Sequence, residues 1–272
     1  MSEVLRYAAF TDRPSGGNPA GVVLDATGLS DAEMLQIAAD LGYSESAFLT
    51  GDRLRFFSPL AEVAFCGHAT VATAVALAER DGAGERVFQT THGPVPVTTR
   101  RGAGGVAATM TTVPPRVVEL ADEDLDEILS AFGWERADLD PALPPRIAFA
   151  GVWHPIVAAA TRERLAALDY DFDRLGALMA ARDWTTVQVV WRESETSFHA
   201  RDPFPPGGAV EDPATGASAA ALGAYLRELG LVTPPATVTI VQGEDFGRRS
   251  ELTVDIAADR PEIDVTGTAV VI

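Results

Sequence analysis

Three short stretches hold the residues best suited to moving protons. Ser44-Glu45-Ser46-Ala47-Phe48 sets one carboxylate in a run that alternates like a β-strand. On that alternation Glu45 shares a face with Ala47 and Leu49, the more apolar of the two. An inward carboxylate is disfavoured as an anion, which suits proton transfer; the competing reading is a Glu at a strand entrance that turns to water. Phe65-Cys66-Gly67-His68 opens an Ala-rich segment. A helix start offers N–H groups and the positive end of a dipole, which suit a carboxylate or enolate oxygen and keep an imidazole neutral. His68 is therefore either a proton carrier there or a satisfied structural histidine. Cys66 is either an activated thiol or a small buried apolar side chain beside Phe65. Glu211-Asp212-Pro213-Ala214-Thr215-Gly216 is a second turn of this kind. In it Asp212 either caps a helix or faces the same cavity as Glu45 and His68. Gly16-Gly17-Asn18 either lends an amide or only makes a turn. His92, His154 and His199 have no partner identifiable from the sequence and are read as structural.

The elements that must position these residues are legible in outline. Ser30-Asp31-Ala32-Glu33 is a capping box that starts a helix reaching about Leu41, with Gly42 as its left-handed stop. Val4–Phe10, Ala20–Leu24, Ser44–Thr50 and Arg53–Ser58 read as strands. His68–Glu79 and Ala217–Glu228 read as helices that are apolar almost all round, the pattern of buried helices. Each follows a Gly-containing turn and, before it, a stretch rich in Pro and Phe. Aligning Cys66-Gly67-His68 on Thr215-Gly216-Ala217 sets the copies about half a chain apart, as in a degenerate duplication. Each half then wraps strands around one buried helix, and the two helix starts meet at a cleft. The expected division is 1–115 and 116–272, with the last strand free to return to the first half. The acid run Glu119–Glu127 leads into a thin apolar stripe and reads as a solvated helix face.

Composition removes several classes of function. The 272 residues carry 39 acidic against 21 basic side chains, a formal charge of −18. That balance disfavours nucleic acid and anionic membranes as partners. Every basic residue is Arg, so Schiff-base chemistry and a P-loop are excluded. The single Cys permits no internal disulfide and no thiolate cluster, and the four His lack ligand spacing. No apolar run is long enough to span a bilayer. With no export-signal layout at the start, the cytoplasm is the expected compartment.

Four motifs occur in order: Gly17-Asn18-Pro19-Ala20-Gly21-Val22, Ser44-Glu45-Ser46-Ala47-Phe48, Phe65-Cys66-Gly67-His68-Ala69-Thr70 and Glu211-Asp212-Pro213-Ala214-Thr215-Gly216. Gln242-Gly243 and Gly247-Arg248 fit as well. Together they resemble the phenazine-biosynthesis PhzF-like isomerase family. The resemblance implies an α+β, diaminopimelate-epimerase-like fold of two pseudo-symmetric halves, and cofactor-free proton chemistry. It implies Glu45, His68 and Asp212 as catalytic residues, and Asn18, Gly67, Gly216 and Ala217 around a small carboxylic acid substrate. The implied reaction is a double-bond or keto–enol proton shift without cofactor or metal, in a homodimer. One departure stands out: many relatives continue Thr-Gly-Ser, whereas this chain has Thr215-Gly216-Ala217. The alternatives are a Cys66-dependent dehydratase or epimerase, and a catalytically silent binder of small acids. A two-cysteine racemase is excluded, since Thr215 stands at the position aligned with Cys66.

Overall fold

An unbroken run of buried residues from His68 through Ala78 decides how the first part of the chain is built. A helix apolar on every side must be covered on every side. In the computed structural model, which describes Glu3–Ile272, strands supply that cover. Met1 and Ser2, part of the opening stretch read for an export signal, lie outside the described residues.

The chain divides into two units, one running through Thr111 and including Val265–Ile272, the other spanning Thr112–Asp264. The first holds β1 (Leu5–Ala9), β2 (Asn18–Val23), α1 (Asp31–Leu41), β3 (Glu45–Thr50), β4 (Arg53–Phe57), β5 (Glu62–Val63), α2 (Gly67–Asp81), β6 (Glu85–Thr90), β7 (Gly93–Gly102) and β8 (Gly105–Thr111). The second holds β9 (Arg116–Glu119), α3 (Asp122–Phe132), β10 (Arg146–Phe149), β11 (Trp153–Ala158), α4 (Arg162–Ala166), α5 (Phe172–Arg182), β12 (Gln188–Arg192) and β13 (Ser197–Arg201). It continues with β14 (Pro203–Phe204), β15 (Ala209–Glu211), α6 (Gly216–Glu228), β16 (Ala236–Gln242) and β17 (Ser250–Ile256), and β18 (Ile263–Val271) then carries the chain back into the first unit.

In the first unit the strands run β1-β2-β3-β4-β6-β7-β8, and β18 lies between β8 and β1, closing the ring around α2. Thr70 and Thr73 point their hydroxyls back to the carbonyls of Cys66 and Ala69, both at 2.7 Å, so the helix stays satisfied inside an apolar wall. Outside the ring, α1 covers Val23, Phe48 and Phe57 with Met34 and Ala38. Its capping box forms as the sequence predicts, and Gly42 ends it at φ 66°. Ser46 is buried on the outer side with Phe48, so both faces of β3 are covered and not only the Glu45 face.

The second unit repeats the plan. Its strands run β17-β16-β13-β12-β11-β10-β9, with α6 packed against β17, β9, β10 and β11. In each unit the strand pair ahead of the outer helices joins the next pair in parallel: β2 with β3, and β11 with β12. The central helix then crosses to a second parallel pairing, β4 with β6 and β13 with β16. The aligned glycines, Gly67 and Gly216, are the first residues of the two central helices, and Cys66 and Thr215 are their N-caps. On the opposite face of the second sheet, α3 and α5 enclose a core around Leu125, Phe132, Leu175, Met179 and Trp184. The acid run is less solvated than expected: Asp124 is buried and takes bonds of 2.8–3.1 Å from Arg182. Among the described residues no helix is long and apolar enough to cross a membrane.

Polar side chains are enclosed beside α6. His154 Nδ1 lies 2.9 Å from Thr186 Oγ1, which donates to Asp202 Oδ1 at 2.8 Å; all three residues are fully buried. Burial pushes the Asp202 carboxyl well above the usual carboxylate range and pushes the His154 imidazole down to about 3.

Two outcomes follow from this packing. Gly223→Ala adds about 1 kcal/mol of helix propensity, but its Cβ would lie 2.7 Å from Val254 Cγ1 and 3.4 Å from Ile263 Cγ2. Overpacking costs roughly 1–3 kcal/mol, so urea unfolding should show a net loss of stability; a gain would mean that α6 has room against β17. The buried histidine and acid act on stability in opposite senses. His154, depressed in the fold, contributes stability above its unfolded pKa of about 6.5, and that contribution is lost as pH falls towards about 3. Asp202, raised in the fold, contributes below its unfolded value of about 3.9 and loses that contribution as pH rises. Melting curves from pH 3 to 8 should therefore show a flatter acid limb for His154→Gln, and a stability gain for Asp202→Asn that grows with pH. Differences from wild type that do not change with pH would remove both assignments.

Candidate active site

Closing a ring of strands around α2 leaves its first turn as the place where polar groups gather. Glu45 is the first residue of β3, held opposite Ala20 of β2 in parallel register. Its Oε2 lies 3.7 Å from Cys66 Sγ and 3.8 Å from His68 Nε2, while Cys66 Sγ lies 3.3 Å from His68 Nδ1. The Glu45 side chain is 14% exposed and that of His68 4%, so the carboxylate is the member of the group that reaches solvent. Glu45 therefore neither sits sealed in the core nor turns away to water.

Burial lowers the pKa of His68, an effect partly offset by the Glu45 charge and by a bond to the Pro19 carbonyl. A neutral ring carries one N–H. With that N–H given to Pro19, the other nitrogen is an acceptor. The Gly17-Asn18-Pro19 motif is thereby explained as a turn that delivers a carbonyl. Gly17 adopts φ +68°, and a Cβ there would lie 2.4 Å from the Ala9 carbonyl oxygen, so glycine is required. Asn18 is buried at the start of β2. Cys66 has extended backbone geometry at the N-cap and makes no side-chain cap bond, and the first turn of α2 carries no acidic residue. The leading N–H groups of Gly67 and its successors are thus aligned with the positive end of the helix dipole, an arrangement that favours an anion.

In the second unit, the turn before α6 is fastened by Gln242. This fully buried amide donates to the Asp212 carbonyl at 2.7 Å and to Thr215 Oγ1 at 3.0 Å, and accepts from Thr215 N at 3.1 Å. Thr215 donates in turn to Asp212 Oδ2 at 2.6 Å. The N-cap is Thr215, without a side-chain cap bond, so Asp212 does not serve as the cap. Its neighbour Glu211 is tied to Arg201, which also donates to the carbonyls of Leu165, Ala166 and Leu168 at 2.8–3.2 Å. Ser218 does not stand in for the serine missing at Ala217: it is fully buried, and its hydroxyl bonds the Thr215 carbonyl at 3.1 Å.

The repeat lets the two units be compared position by position. Gln188, the first residue of β12, pairs in parallel with Ile156 as Glu45 pairs with Ala20. The second unit therefore has Gln188 where the first has Glu45, Thr215 where it has Cys66, and Ala217 where it has His68. Glu45, Cys66 and His68 come together within the first unit, and their ligand atoms lie within 4.8 Å of one another. Asp212, Gly216 and Ala217 come together in the second. Sequence reading missed Gln242 as the fastener and Asp202 as a buried acid; only strand pairing brings them to the helix start. It also left the other histidines without partners, whereas His199 Nδ1 lies 2.5 Å from Glu244 and His154 bonds Thr186. His92 stacks loosely with Phe65 at 6.3 Å.

Comparison with known proteins shows the family to which the chain belongs. The family model described as phenazine biosynthesis-like protein, PhzC-PhzF, matches residues 7–272. An isomerase of Bacillus subtilis (strain 168), YfhB, itself uncharacterized, is 30% identical over 99% of this chain and 96% of its own length. The trans-2,3-dihydro-3-hydroxyanthranilate isomerase of Pseudomonas fluorescens is 31% identical over 92% of this chain and 88% of its own. The crystal structure of a Bacillus anthracis phenazine biosynthesis protein of the PhzF family superposes with a TM-score of 0.90 at 28% identity, covering 99% of this chain and 96% of that one. With one set of strands around each of two buried helices in the diaminopimelate-epimerase-like manner, the chain belongs to the PhzC-PhzF family and is an isomerase.

Proposed function

We propose that this isomerase moves a proton between carbons of a small unsaturated amino or hydroxy carboxylic acid, using Glu45 as the proton carrier and no cofactor. The observation that carries this reading is the partly exposed Glu45 carboxylate, 3.8 Å from a buried imidazole at the start of α2. In the first step the carboxylate takes a proton from a carbon conjugated to the substrate carboxylate. The C–H pair becomes the new π bond, and negative charge moves to the carbonyl oxygen. The N–H groups of the first turn of α2 stabilise that oxygen. In the second step the protonated Glu45 returns its proton to a different carbon, restoring the carboxylate and leaving the double bond displaced. His68, neutral because burial disfavours its charged form, does not compete with the carboxylate as a cation. Asp212, its oxygen held by Thr215, takes the orienting role that its motif implies. Asn18 and Gly67, at the starts of β2 and α2, border the substrate.

Ala217, where the family motif continues with serine in many relatives, is the place where this chain's substrate preference would depart from the family's. A methyl group cannot bond a substrate hydroxyl or amine, and Ser218 is turned inward. A second reading is favoured by one contact: Cys66 Sγ lies 3.3 Å from His68 Nδ1, the geometry of an activated thiol. In that reading Cys66 is the base of a dehydratase or epimerase, and Glu45 is only its neighbour.

Proton NMR in heavy water, with a panel of unsaturated and keto carboxylic acids, separates the two. Glu45→Gln should slow deuterium entry at carbon by about 10²–10⁴-fold, with the melting temperature kept. Retained exchange in Glu45→Gln, abolished by alkylating Cys66, would move the base to the thiol; binding without any exchange would make the chain a silent binder. The departure at Ala217 has its own readout. Restoring one hydrogen-bonding hydroxyl is worth about 0.5–1.5 kcal/mol, so Ala217→Ser should raise kcat/KM for trans-2,3-dihydro-3-hydroxyanthranilate about two- to tenfold. An unchanged or lower value would show that this position does not set substrate preference.

A further inference from the structure

Glu45, Cys66 and His68 bring an oxygen, a sulfur and an imidazole nitrogen within 4.8 Å of one another, and that combination has a use besides proton transfer. We propose that these three side chains form a reversible binding site for one thiophilic divalent cation of the zinc type, whose occupancy switches the isomerase off. The inference concerns regulation of the site described above and rests on that reading only for its inhibitory effect.

Two of the three edges match one face of a tetrahedron. Zinc holds sulfur at about 2.3 Å and nitrogen or oxygen at about 2.0–2.2 Å, so neighbouring ligand atoms in a tetrahedral site lie about 3.3–3.6 Å apart. Here Cys66 Sγ lies 3.3 Å from His68 Nδ1 and 3.7 Å from Glu45 Oε2, two edges close to that span. All three ligand atoms fall within 4.8 Å of one another. The remaining edge closes by turning the Glu45 side chain, which is the most exposed of the three. The surroundings also suit a metal. A bond from His68 to the Pro19 carbonyl fixes the ring, the support that ligating histidines regularly have. Cys66 stands at the N-cap of α2, between the other two ligands. Three protein ligands leave a fourth position for water or a carboxylate.

Coordination breaks the Cys66 S–H bond, releases that proton to solvent and forms a metal–sulfur bond, with no change of oxidation state. It also occupies the Glu45 lone pair that would otherwise accept the substrate proton. Position-by-position comparison of the units sets the stoichiometry. The counterparts of the three ligands are Gln188, Thr215 and Ala217, a set with no thiol, imidazole or carboxylate, and Cys66 is the only cysteine. One cation per chain is therefore expected.

Cadmium titration of the full chain tests the site directly, because thiolate-to-cadmium charge transfer reports the cysteine and nothing else. The band should grow to one equivalent and be displaced by zinc. It should vanish in Cys66→Ser and need at least about tenfold more metal in Glu45→Gln, the loss of one ligand. X-ray absorption of the zinc-loaded wild type, which depends on no variant folding, should show one sulfur with nitrogen and oxygen neighbours. No band in the wild type, or a zinc shell without sulfur, overturns the site. Saturation that leaves proton exchange at its metal-free rate overturns the switch. If exchange survives in Glu45→Gln while the band still saturates at one equivalent, the assignment of Glu45 as base has failed and the metal site stands.

Discussion

The structure depends on one constraint: a helix with no polar face has to be sealed, and its ends cannot be. Ala69, Val71, Ala72, Ala74 and Val75 in α2, and Ala219 to Leu222 in α6, have nowhere to go but inside a wall of strands. The backbone N–H groups of a first turn have no partner within the helix, whatever surrounds it. Sealing the sides therefore concentrates unmet donors, and the positive end of the dipole, at one end. Titratable side chains gather at the start of α2 because it is the part of the ring's interior that apolar packing cannot satisfy.

The two units meet this problem with the same backbone and different side chains. In the first, Cys66 at the cap, His68 one residue into the helix and Glu45 from the neighbouring strand leave a group of titratable atoms with a path to solvent. In the second, Thr215 takes the cap and Gln242 closes the turn with three hydrogen bonds. The second helix start is thus a stiff polar clamp around Asp212. The first keeps groups whose protons can move. A duplicated fold can divide labour in this way because strand register carries over between copies while the residues at each register position are free to diverge.

What the sequence made legible is what local chemistry controls. The capping box at Ser30, the left-handed Gly42 and the glycines opening both central helices are readable because each depends on neighbours within a few residues. The placement of Glu45 with Ala47 and Leu49 followed from alternation alone. What stayed hidden depends on contacts between strands far apart in the chain. Thr186 meets His154 across a gap of 32 residues and Asp202 across 16, and Arg201 finds the end of α4 35 residues earlier. Asp124 looked like one more solvated acid until Arg182 of α5 was folded over it. No periodicity within a single segment encodes such pairs.

The group at the start of α2 also shows why a proton carrier and a metal ligand are hard to tell apart by residue type. Both need a lone pair held in place and kept unprotonated at neutral pH, and burial of an imidazole supplies that for either purpose. What separates them is freedom. A ligand serves best when its neighbours fix it, as Pro19 fixes His68. A proton carrier must swing between two carbons, and Glu45, the exposed member of the group, is the one with room to do so. A cation drawing all three atoms to one point would take that freedom away without altering the fold. With Glu45 as the proposed base, metal binding and catalysis at this place would compete through the motion of a single side chain.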